Sequence, residues 1–149
     1  MSTDVKIEGL AGRIEISVHD YDNADAQHPS DANWLHCGVT LAIGTMSMTF
    51  DASFTTHDFF QLQSQLAVCL KALQGAAVFE TDEEALRFRI EFGRRGDATI
   101  AGTARSVEQA RAKVDFTFDS DQTFLQRALS DLRDVCAAFP IKGSVAPSG

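Results

Sequence analysis

The side chains of this chain best suited to chemistry are its histidines, its cysteines and a few clusters of carboxylates. His19 and His36 flank a polar connection, so two strands pairing across it would bring their imidazoles face to face. Two imidazoles can grip zinc, but a catalytic zinc takes three protein ligands. Asp20 adjoins His19 in sequence, yet neighbouring strand side chains point to opposite faces. Asp20, Asp22 and Asp25 imitate the front of a calcium loop. Ala24 and Ala26 then stand where glycine is needed, and no Glu closes the loop at its twelfth position. Cys37 has His36 beside it, but on a strand these two diverge. Asp82-Glu83-Glu84 and Asp119 with Asp121 fall on a link and at a helix start. Acid–base catalysis instead needs two carboxyls in a cleft with separated pKa values. Gly93-Arg94-Arg95-Gly96 reads as a hairpin turn. No GxSxG, HExxH, P-loop or GxGxxG occurs. The expectation is a protein without catalytic, cofactor or metal residues.

Two stretches dominate the organisation. Thr45 to Leu73 and Lys113 to Phe139 each run from an alternating strand into a capped amphipathic helix. In the first, Met46, Met48, Phe50, Ala52 and Phe54 share a face, then Phe59, Leu62, Leu66, Cys69, Leu70 and Leu73 recur at helical spacing. Thr55 and Asp58 stand at the expected helix start, and Gly75 offers a left-handed stop. In the second, the helix begins near Asp119-Ser120-Asp121-Gln122 and buries Phe124, Ala128, Leu129, Leu132, Val135, Cys136 and Phe139 before Pro140 ends it. Aligning Phe59 with Phe124 leaves the leucines of the two helices out of phase, so a duplication does not emerge. Further strands are expected at Val5–Leu10, Arg13–Tyr21, Trp34–Ile43, Ala76–Glu80, Leu86–Phe92 and Ala98–Ala104. The fold expected is α+β: a mainly antiparallel sheet of about six to eight strands with two long amphipathic helices packed on it.

Length suits one domain, with 5–140 folded and 141–149 a tail. Eleven Phe against one Trp and one Tyr point to a dry core. The net charge of -8 opposes nucleic-acid binding, which needs clustered cations, and opposes an anionic membrane surface. The opening residues lack a signal peptide's charged and apolar regions, and no apolar run reaches the ~20 residues of a membrane span. Three cysteines without a CxxC spacing suit reduced thiols and a cytoplasmic setting.

What remains is acidity. From His19 to Asp31 four aspartates, Asp20, Asp22, Asp25 and Asp31, give a formal charge of -4. From Glu80 to Glu84 the charge is again -4, from Glu80, Asp82, Glu83 and Glu84. If the fold brings these segments together they form a negative patch, with Trp34 as an aromatic anchor beside it.

Several short motifs then occur in a telling order: Asn33-Trp34-Leu35, Glu83-Glu84-Ala85-Leu86-Arg87-Phe88, Asp121-Gln122-Thr123-Phe124-Leu125 and Phe139-Pro140. Across Trp34 to Lys142 the chain resembles the WapI-type immunity proteins of bacterial toxin systems. The resemblance implies a cytoplasmic antidote that binds a cognate toxin domain and needs no catalytic residues. An acidic patch would suit a cationic toxin such as a nuclease. Two other classes are open to the sequence. One is a small-molecule-binding module, with Met46, Met48 and the many Phe lining an apolar cavity between sheet and helices. The other is an enzyme built on His36 and Cys37.

Overall fold

Among the described residues, alternation of apolar and polar residues becomes eight strands, divided between two sheets. The computed structural model describes residues 3–21, 32–81, 84–106 and 111–142. The first sheet joins β1 (Asp4–Glu8), β2 (Gly12–Tyr21), β3 (Trp34–Ile43) and β4 (Met46–Thr55) in chain order. Helix α1 (Thr56–Ala72) follows. The second sheet joins β5 (Ala76–Phe79), β6 (Leu86–Phe92), β7 (Asp97–Ser106) and β8 (Ala112–Asp121), and α2 (Gln122–Ala138) closes the order. All strand pairs are antiparallel. On β6 the period of two is complete: Leu86, Phe88, Ile90 and Phe92 are buried, while Arg87, Arg89 and Glu91 are exposed.

Both helix starts are built by side chains. Thr55 Oγ1 accepts the Asp58 N–H at 3.2 Å, and Asp58 Oδ2 accepts the Thr55 N–H at 2.9 Å, a closed capping box. In α2 the cap is Asp121, whose Oδ1 accepts the Thr123 and Phe124 N–H groups. Asp119 remains in the β7–β8 ladder, opposite Thr99. The stop of α1 differs from expectation. Leu73 takes the left-handed turn at φ 53, two residues before Gly75, which does take the expected positive φ, at 91. Gly75 is already drawn into the second sheet, its carbonyl accepting the Phe92 N–H at 2.9 Å, so the reversal must come earlier.

Among the described residues the two halves repeat one pattern, four strands then one long helix. The caps Thr55 and Asp121 lie 66 residues apart. At that offset buried Phe59, Leu62, Leu66 and Cys69 match buried Leu125, Ala128, Leu132 and Val135. The sequence alignment through Phe124 was one residue out. Leu125, not Phe124, turns inward, because the fourth residue of each helix faces the core.

The helices are exchanged between the halves. α1 leaves the first sheet but packs on β5, and α2 leaves the second sheet but packs on β1 and on α1. Each also bonds the strand it covers. Gln65 Oε1 accepts the Val78 N–H at 2.8 Å, and Asp131 Oδ2 accepts the Lys6 N–H at 3.1 Å. Gln65 and Asp131 are again 66 residues apart. At the centre Phe54 meets Phe79 at 5.1 Å between ring centroids, and Phe79 stacks on Phe88 at 5.1 Å. Phe54, Phe59, Phe79 and Phe88, among the phenylalanines expected around a ligand cavity, are thus packed against one another. Elsewhere the β1–β2 turn lies on β8: Leu10 N–H donates to the Asp119 carbonyl at 2.9 Å and Ser120 Oγ to the Glu8 carbonyl at 2.6 Å. A Cβ on Gly9 would collide with the Asp119 carbonyl, which is why glycine stands there.

Leu132 is fully buried where α2 covers the core. Leu132→Ala is expected to lower stability by ~2–5 kcal/mol in urea unfolding, whereas Gln126→Ala on the exposed face should stay within ~0.5 kcal/mol.

Candidate functional site

The two acidic segments are rooted at one end of the molecule. Tyr21, the last residue of β2, pairs with Leu35, and Leu35 pairs with Phe54 on β4. Phe54 in turn packs on Phe79, whose neighbour Glu80 begins the second acidic segment. A chain of core contacts therefore ties the base of one segment to the base of the other. Trp34 stands half-buried at the same end, paired with Thr55 where α1 begins.

The individual carboxylates differ in their surroundings. Asp20 is exposed, and a slip in the β2–β3 register between Val18 and Asp20 sets it opposite His36. Strict alternation would have turned Asp20 to the other face; the bulge overrides it. Its Oδ1 accepts the Tyr21 N–H at 2.8 Å. Glu80 is exposed. Glu84 takes a left-handed backbone, φ 54, and faces two guanidinium groups, Arg87 at 3.3 Å and Arg105 at 3.7 Å. Its charge is thereby offset locally. Asp22, Asp25, Asp31, Asp82 and Glu83 lie outside the described residues.

Sequence reasoning missed what holds this end together. Asn33 is only 4% exposed. Its Oδ1 accepts the Thr56 hydroxyl at 3.0 Å and the Lys142 N–H at 2.6 Å, and its Nδ2 donates to the Lys142 carbonyl at 2.9 Å. Tyr21 donates its hydroxyl to the Pro140 carbonyl at 2.8 Å and sets its ring edge-on to Phe139 at 5.4 Å. The Lys142 ammonium lies 3.7 Å from the Tyr21 ring centroid, a cation–π contact. Burial, then the nearby Asp20 charge, push the Tyr21 hydroxyl above its usual pKa and keep it a donor. Residues 139–142 thus clasp the chain on both sides of the segment carrying Asp22, Asp25 and Asp31. Lys142, expected in the tail, is part of the clasp. The only sequence signal was an amide directly before Trp34, which is too weak to single out.

Residues 6–140 match the Immunity protein WapI-like family. The chain belongs to that family. The match takes in β1, β2 and the acidic segment before Trp34, none of which contributed to the resemblance read from the motifs. Among curated proteins no match is found. Membership implies an immunity-type protein with a cognate toxin as partner.

The remaining chemistry of this WapI-like chain is sparse. The His19 and His36 rings do face each other, with centroids 5.4 Å apart on the outer side of the first sheet. No group of three potential metal ligands accompanies them among the described residues. Cys37 is fully buried, while His36 is exposed on the opposite face. Burial raises the thiol pKa of Cys69 and lifts that of Cys136 from 9.0 to about 11. Both are held as thiols, the form that does not attack. No helix among the described residues is long and apolar enough to cross a membrane.

Two measurements probe this end and these thiols. Asn33→Ala leaves buried partners unpaired and should cost ~1–3 kcal/mol, with faster amide exchange at Thr56 and Lys142. Because neutral Cys136 is favoured in the fold, its labelling by a thiol reagent should climb as pH rises toward about 11, whereas the unfolded chain should level off near 9.

Proposed function

We propose that this protein is a cytoplasmic antidote that binds the toxin domain of its own system and blocks it by covering surface, without catalysing a reaction. Membership of the WapI-like immunity family is the observation that carries this reading. The mode of binding follows from charge. Asp20, Asp22, Asp25 and Asp31 occupy one segment without a Lys or Arg, and Glu80, Asp82, Glu83 and Glu84 another. Such a surface suits a cationic partner, and a nuclease is cationic where it grips phosphate. Attraction between the two would speed encounter and reject partners of the wrong charge. Trp34 beside the first segment supplies the apolar anchor that charge alone lacks.

Arg87 and Arg105 set the order of importance within the second segment. They offset Glu84, so the first segment carries more of the steering.

The test is co-expression with a candidate toxin domain from the neighbouring coding region. Growth should be rescued and a one-to-one complex recovered. Changing Asp20, Asp22, Asp25 and Asp31 together to Asn should lower the association rate by roughly 10-fold or more at low salt and flatten its salt dependence. Trp34→Ala should act on dissociation instead, costing about 2 kcal/mol or more of affinity. Absence of both rescue and complex with the wild-type chain would rule the proposal out.

A further inference from the structure

Four strands lie at sheet edges, and three of them are covered or charged. The edge of β1 is covered by α2, with Asp131 on the Lys6 N–H, and that of β5 by α1, with Gln65 on the Val78 N–H. On β8 the Asp119 carbonyl receives Leu10, and Lys113, Asp115 and Asp119 line the outer face. Charged side chains of that kind deter pairing with another strand.

Among the described residues, β4 has neither protection along Met46–Ala52. It ends the order of the first sheet. Residues 34–57 hold a single formally charged side chain, Asp51, in a chain with 21 acidic and 13 basic residues. The direction of its backbone is fixed by the ladder. Thr56 N–H donates to the Asn33 carbonyl at 2.9 Å, in register with the Trp34–Thr55 pair. Even-numbered residues of β4 therefore turn their backbone groups toward β3, and Ser47, Thr49 and Asp51 turn theirs outward.

We infer that β4 is the self-association edge of this protein, pairing antiparallel with β4 of a second copy. A register centred on Thr49 satisfies each of these outward groups. Thr49 then faces Thr49 of the other copy, and Ser47 faces Asp51, with a pair of hydrogen bonds at each position. On the inner face Met48 meets Phe50 and Met46 meets Ala52 across the seam. Met46 is 37% exposed in the single chain and Met48 and Ala52 are half-buried, so the second copy covers apolar surface that the chain leaves open. The two Asp51 carboxylates fall roughly 14 Å apart at about 3.4 Å per residue, beyond the screening length at physiological salt.

The self-matching register of Ser47, Thr49 and Asp51, at an edge poor in charge, selects a second copy over a toxin as the occupant. Two molecules of net charge -8 repel least where charge is sparse, and β3–β4, with Asp51 alone, is such a place. A cationic toxin is drawn instead to the acidic segments. The strand pairing leaves Tyr21, Trp34 and Glu80, the described residues beside those segments, at opposite ends of the dimer in the two copies, so the self-association and the proposed toxin binding are separable.

Sedimentation equilibrium of the full chain over a wide concentration range tests the inference. A monomer–dimer equilibrium is expected, with slower amide exchange at Ser47, Thr49 and Asp51 as concentration rises. Thr49→Pro removes the amide at the centre of the seam and leaves the β3 ladder intact. Thr49→Lys places two cations face to face there. Each variant, with its fold confirmed by circular dichroism, should weaken dimerisation by roughly tenfold to a hundredfold. A monomeric mass at every concentration, or a dimer that both variants leave intact, overturns the inference. So does a monomeric wild-type chain whose toxin protection is lost in Thr49→Pro, which would assign the edge to a foreign strand.

Discussion

The structure depends on the exchange of helices between its two halves. Each helix buries its apolar stripe on the other half's first strand and accepts one of that strand's edge amides, through Gln65 on Val78 and Asp131 on Lys6. Neither half closes its own core. A four-stranded meander has one apolar face and two open edges, and a single helix beside it cannot cover both. Crossing the helices seals one edge of each sheet and joins two marginal units into one. Burial holds the Asp131 carboxyl above its usual pKa, with Asp134 and Asp4 adding to the rise, although the Lys6 amide and charge pull it down.

The same exchange creates the acidic end. Because α1 lies along β5, the close of β5 is held against the close of β4 by Phe54, Phe59 and Phe79. Glu80 follows from there, and Tyr21 and Trp34 stand on the neighbouring strands. Past the far end of α2 the chain returns through Phe139 and Pro140 to Tyr21, and through Lys142 to Asn33. Hydrogen bonds with residues 140 and 142 thereby hold Tyr21 and Asn33, the described residues nearest the two ends of the first acidic segment.

Function of this kind leaves little trace in residue types. A metal site or a nucleophile announces itself through spacing, because few side chains can do the work. A binding surface is made of ordinary side chains and is recognised by where they stand. The motifs around Trp34, Leu86, Phe124 and Pro140 were enough to suggest the family, and the family match extends over residues 6–140. The part played by Asn33 was not legible, since its side chain bonds Thr56 and Lys142, 23 and 109 residues away.

Local physics reached the strands, the capping box at Thr55 and the inward face of nearly every element. Alternation, capping and helical spacing each act over a few residues, so they can be read in order along the chain. Three features escaped that reading. The Val18–Asp20 bulge is set by pairing with β3, the one-residue phase of α2 by what packs on it, and the left-handed Leu73 by the pull of Gly75 into the second sheet. The division into two sheets and the crossing of the helices are also decided only in three dimensions. They follow from which apolar faces can cover one another, and that is a property of the whole chain, not of any stretch of it.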